Sequence, residues 1–117
     1  MEQRASAALE QRLFSVSLVT RRSGVSGAPA DYVAGDFLTG HLAPGAPAAA
    51  RYAQAVATAL AAGIAGRGVA ATARGAGLAR SSVQDLLAGR GWPDLVTLAK
   101  LEDELDVTLW PGRDRVR

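Results

Sequence analysis

The sequence predicts a mainly α protein. A bundle of four to five helices over residues 50–111 follows an N-terminal helix–strand arm over residues 1–42, with a linker at 43–49 and a flexible tail at 112–117. Three observations predict it. Apolar residues recur every three to four positions in four separate stretches after residue 47. Glycines and prolines separate those stretches at helix-length intervals. Before residue 21 the apolar period shortens from helical to two.

Residues 2–12 place Ala5, Ala8 and Leu9, followed by Leu13, on one helical face between Glu and Arg residues. In residues 13–20, Phe14, Val16 and Leu18 alternate with Ser15, Ser17 and Val19, which is the period of a strand. A lone strand is unstable and needs a partner, either within the chain or in a second subunit. Residues 21–30 are rich in Gly, Ser and Pro and read as turns. Residues 31–42 fit two patterns. Val33, Phe37, Leu38 and Leu42 share a helical face that Gly35 and Gly40 weaken, and the same stretch suits a second strand pairing with the first. APGAPA at 43–48 is a break and marks the expected domain boundary.

After the break, residues 48–63 carry an apolar stripe of Tyr52, Val56, Ala59 and Leu60 that continues to Ile64, and glycines at 63, 66 and 68 end the helix. Val69, Thr72 and Ala73 form the inner face of a short helix at 69–75, small enough for another helix to approach closely. Gly77 suits a tight turn, and Leu78 plugs the space beneath it. A second short helix at 80–88 turns Val83, Leu86 and Leu87 inward and Arg80, Ser81, Ser82, Gln84 and Asp85 outward, with Gly89 ending it. Trp92-Pro93 leads to Asp94, a good N-cap, and then to a helix at 95–105 burying Leu95, Leu98, Leu101 and Leu105. Two short helices joined by a Gly-containing turn, the second presenting polar side chains, match a helix-turn-helix.

These residues carry a family resemblance. Ala73, Gly77, Leu78, Ser81, Ser82, Val83, Gly89, Pro93 and Leu105 stand at the spacing of the lambda-repressor-like, Xre-type helix-turn-helix family, and the stretch 92–111 is similar to its small actinobacterial members. The resemblance covers residues 50–110. It implies a cytoplasmic transcriptional regulator that places the helix at 80–88 in the major groove of a double-stranded DNA operator. Three positions depart from the family pattern. Val69 stands where a phosphate-contacting Gln is usual, Ala79 where Ser or Thr caps the recognition helix, and Glu102 where a small apolar residue is usual. A partly buried Glu102 needs a donor, and Arg74 or the backbone N–H groups of residues 68–70 are the candidates.

Charge agrees with a polarised domain. Residues 67–90 hold Arg67, Arg74, Arg80 and Arg90 against Asp85 alone, whereas residues 94–106 hold Asp94, Glu102, Asp103, Glu104 and Asp106 against Lys100 alone. A basic stretch of this kind offers one face to a polyanion. Arg80, Ser81, Ser82, Gln84 and Asp85 are the base-reading candidates, with Asp85 either orienting Arg80 or Arg90 or accepting from a cytosine amine. Arg67, Arg74 and Arg90 are the phosphate candidates. Two half-sites require a dimer, and the strand at 13–20 is its expected element. A protein-interaction module that keeps the fold, antitoxin-like or otherwise partner-binding, and a nonspecific architectural DNA binder are the alternatives.

Other chemistry lacks its residues. There is no cysteine. His41 is the lone histidine, with no spaced carboxylates to build a metal site. The glycines at 63, 66 and 68 have no following Lys-Ser/Thr pair, and no serine sits in a nucleophile elbow. The expectation is a non-enzyme without cofactor or metal. Trp92 and Trp110 are expected to pack and close a small core. The start MEQRASAALEQR is too polar for a signal peptide, and no apolar run reaches the roughly 20 residues of a membrane span.

Overall fold

The computed structural model describes residues 27–116. The helix expected at 2–12 and the strand expected at 13–20 lie outside them. A 3₁₀ turn at Pro29–Tyr32 leads into β1 (Val33–Ala34), which pairs antiparallel with β2 (His41–Leu42) in the register Val33 to Leu42 and Ala34 to His41. Five helices follow among the described residues: α1 (Ala48–Gly63), α2 (Val69–Ala76), α3 (Arg80–Ala88), α4 (Leu95–Leu105) and α5 (Arg113–Val116).

Three helices end in the same way. Gly77, Gly89 and Asp106 stand in the left-handed region, at φ 72°, 73° and 54°. After α2 the Leu78 amide bonds back to the Ala73 carbonyl, and after α3 the Arg90 amide bonds back to the Asp85 carbonyl. This six-to-one closure satisfies carbonyls that the helix end leaves open. After α2 the reversal brings on α3 within three residues. α1, α2, α3 and α4 surround one core of Val56, Leu60, Ile64, Ala73, Val83, Leu86, Leu98 and Leu101, closed from the C-terminal side by Leu109. Thr72 is the buried polar residue of this core, and its hydroxyl donates to the Gly68 carbonyl at 2.9 Å.

The structure differs from the sequence expectation in two places, residues 31–42 and Leu95. The alternative pairing with the strand expected at 13–20 lies outside the described residues, and residues 31–42 are not a helix. They fold back on themselves, because Asp36 and Gly40 form a tight turn between β1 and β2, with the Gly40 amide bonded to the Asp36 carbonyl at 2.6 Å. A Cβ on Gly40 would strike the carbonyls of Ala34 and Asp36, so the turn has no room for a side chain there.

Residues on either side of 43–49 are in contact. Phe37 is buried with Ala53 and Ala57 of α1, and Ala30, Val33, Leu38 and Trp92 pack around them. The Gln54 side-chain amide donates to the carbonyls of Phe37 (3.0 Å) and Gly40 (2.8 Å), which fixes the turn to α1. Residues 113–116 are helical, and the Arg51 Nε donates to the Val116 carbonyl at 2.9 Å. Finally, Leu95 is not core. It is 82% exposed.

Candidate nucleic-acid interface

α2 and α3 are joined by three residues, Gly77, Leu78 and Ala79. Gly77 reverses the chain with open space where a Cβ would stand, and Leu78 packs, partly buried, against the main core. α3 buries Val83 and Leu86. Its remaining surface follows from the 3.6-residue period: Arg80 and Gln84 lie one turn apart, with Ser81 beside them. All three are exposed, and their side chains make no hydrogen bond or ion pair among the described residues. Ser82 and Asp85 are half-buried at the margins of this face.

The helix begins without a side-chain cap. Ala79 has extended backbone at its N-cap position, and Ser81 does not take over that role. The amides of Arg80 and Ser81 are therefore left to solvent or to a ligand, while the Ser82 amide bonds to the Ala79 carbonyl. The first turn carries no acidic residue and begins with Arg80, so the local field there is positive.

The three arginines expected at phosphates divide. Arg67 is paired with the Glu104 carboxylate and also donates to the Glu104 carbonyl, so it straps the loop before α2 to the end of α4. Arg90 is bound through Nε to the Asp85 Oδ1 at 2.9 Å. Asp85 thus orients Arg90 rather than Arg80. Arg74, on the last turn of α2, is exposed and without a side-chain partner among the described residues. The unpaired cationic set beside the turn is Arg74 and Arg80.

Glu102 finds different donors from those expected. Its Oε2 accepts from the backbone amides of Leu109 (2.7 Å) and Trp110 (3.0 Å). Neither Arg74 nor the amides of 68–70 are involved. The carboxylate fastens the segment after α4 so that Leu109 reaches the core, and the sequence holds no local spacing rule that announces such a contact. Trp110 ends up 48% exposed, its ring 4.9 Å from that of Tyr52. Trp92 packs beneath Tyr32, at a ring separation of 6.3 Å, and its indole N–H donates to the Gly27 carbonyl at 2.8 Å. Neither indole lies on α3.

Among the described residues no cluster of His, Cys, Asp or Glu is arranged to hold a metal, and no helix is long and apolar enough to cross a membrane. Comparisons with protein-family models, with curated proteins and with solved structures return no match.

Proposed function

We propose that the protein is a sequence-specific double-stranded DNA-binding regulator that reads the major groove with α3. One observation carries the reading. Arg80, Ser81 and Gln84 form an exposed, unpartnered polar face on a short helix that a glycine turn sets against α2. Arg and Gln suit bidentate contacts to guanine and adenine edges, and a serine donates or accepts at either. Arg74 and the uncapped amides of α3 supply the phosphate contacts. A single small module makes few base contacts, so two copies on two half-sites would supply the affinity.

The test is an anisotropy titration of labelled DNA from upstream of the protein's own gene against a scrambled duplex, at two salt concentrations. Binding to the native sequence at least a hundredfold tighter, lost in Arg80→Ala/Gln84→Ala, is the expected result. Equal and steeply salt-dependent binding to both duplexes favours an architectural binder. No binding at low salt favours a protein-interaction module. That last reading draws on a specific observation: Arg67 and Arg90, two of the three candidate phosphate ligands, are committed to Glu104 and Asp85.

A further inference from the structure

Two arginines that look equally committed are held in different ways. Arg67 spends its terminal guanidinium nitrogens on one partner: Nη2 pairs with the Glu104 carboxylate and Nη1 donates to the Glu104 carbonyl. Arg90 meets Asp85 through Nε, at 2.9 Å from Oδ1, and neither of its Nη atoms has a partner among the described residues. A guanidinium has five N–H donors, and the Nη groups supply a fork that fits an oxyanion. At Arg90 that fork is free, and the side chain is 61% exposed.

The backbone beneath Arg90 is fixed. Gly89 ends α3 in the left-handed region, its carbonyl accepts from the Ala30 amide at 2.9 Å, and the Arg90 amide donates to the Asp85 carbonyl at 2.9 Å. A long arginine side chain on that anchor would still sample many rotamers, and ordering it on a ligand costs binding free energy. The Asp85 bond to Nε removes much of this freedom in advance. Asp85 stands one helical turn after Ser81 and directly after Gln84, so the guanidinium is held at the C-terminal end of the polar face of α3. An exposed ion pair adds little to stability. What this one changes is where the fork points.

We propose that Asp85 is a positioning residue: by holding Arg90 through Nε, it presents the Nη fork to a backbone phosphate of bound DNA. The proposal rests on the DNA-binding reading and gives a role there to a carboxylate that would otherwise only repel phosphate. It places Arg90 beside Arg74 and Arg80 as a phosphate ligand and leaves Arg67 to Glu104.

Phosphate contacts carry no sequence information, so a duplex of mixed sequence serves as the probe. Its binding by the full-length chain is titrated over a series of salt concentrations. The variants are Arg90→Ala, Asp85→Asn, Asp85→Ala, and each Asp85 variant combined with Arg90→Ala. The pair is exposed, so every variant is expected to keep the parent's circular dichroism. Arg90→Ala is expected to reduce the slope of log affinity against log salt by about 0.9, the share of one phosphate. Asp85→Asn and Asp85→Ala both remove the negative charge, but only asparagine keeps an oxygen that accepts from Nε. Asp85→Asn is therefore expected to bind about threefold or more tighter than Asp85→Ala, and the difference is expected to vanish in the Arg90→Ala background. A purely structural or charge-cancelling role moves the two Asp85 variants together. Equal binding by those two, a difference that persists without Arg90, or an unchanged salt slope in Arg90→Ala would each overturn the proposal, while binding by the parent keeps the DNA reading in place. A parent that binds no duplex at low salt overturns both.

Discussion

Two glycines with nearly the same backbone angles are separated in consequence by what faces them. Gly77 and Gly89 both end a helix in the left-handed region. A Cβ on Gly77 would enter open space, whereas one on Gly89 would enter the ring of the buried Phe37. Gly77→Ala is therefore expected to cost only the left-handed penalty, about 1–2 kcal/mol. Gly89→Ala adds overpacking and is expected to cost about 2–4 kcal/mol, with urea midpoints as the measurement. Comparable losses in the two variants would show that Phe37 yields freely. Glu102 makes a second residue-scale case. Glu102→Ala removes an acceptor from two amides and is expected to cost roughly 1–2 kcal/mol. Gly77 and Gly89 were both legible as helix ends, because positive φ is a local demand of the chain. The partners of Phe37 and Glu102 were not, because they lie far along the sequence and follow no fixed spacing.

Helices were the most legible elements. The boundaries expected at 48–63, 80–88 and 95–105 coincide with α1, α3 and α4, and the helix expected at 69–75 runs one residue longer. Periodicity and caps are written within each segment, so no knowledge of the rest of the chain was needed. What periodicity hid was that Leu95 stays exposed while Leu98, three residues on, is buried. α4 also carries a pH response. Asp94 Oδ1 accepts from the Thr97 amide and Oδ2 from the Thr97 hydroxyl, both at 2.9 Å. The backbone bond from Thr97 is the leading cause that holds the Asp94 carboxyl below its ordinary value, followed by the hydroxyl. Its contribution to stability is thus fully present above the unfolded carboxyl pKa, near 3.9, and is lost as pH falls through the lower folded value. Asp94→Asn is expected to lower the melting temperature at pH 7 and to narrow its gap to the parent as the pH drops through this acidic range. A gap that stays constant would remove the cap's charge from the account. On α3, Arg80→Ala/Gln84→Ala is expected to abolish sequence preference without moving the melting temperature by more than a degree or two, since neither side chain has a partner to lose among the described residues.

At the scale of the whole molecule, the described residues hold two apolar clusters that share α1. Val56 and Leu60 face the four-helix core, and Ala53 and Ala57 face Phe37. A helix common to both should make them melt together. Phe37→Ala is expected to lower stability by about 3 kcal/mol and to shift one transition, monitored in parallel by helix ellipticity and by tryptophan emission. Two separated transitions would mark a boundary near residues 43–49. The sequence suggested that boundary because Ala, Pro and Gly dominate there. Composition speaks of local stiffness, and is silent about which surfaces meet across a turn.

The hold of Trp92 on Gly27 spans 65 positions. Gly27 is synthesised before the indole that secures it, which follows only after those 65 residues have been added. At cellular elongation speeds of about 5–20 residues per second, the wait is roughly 3–13 s. The helix pair α2–α3 closes through neighbours and needs no such delay, since local contacts form in microseconds to milliseconds. The order of birth along this chain therefore runs opposite to the order of fastening: its first described residues are anchored among the last.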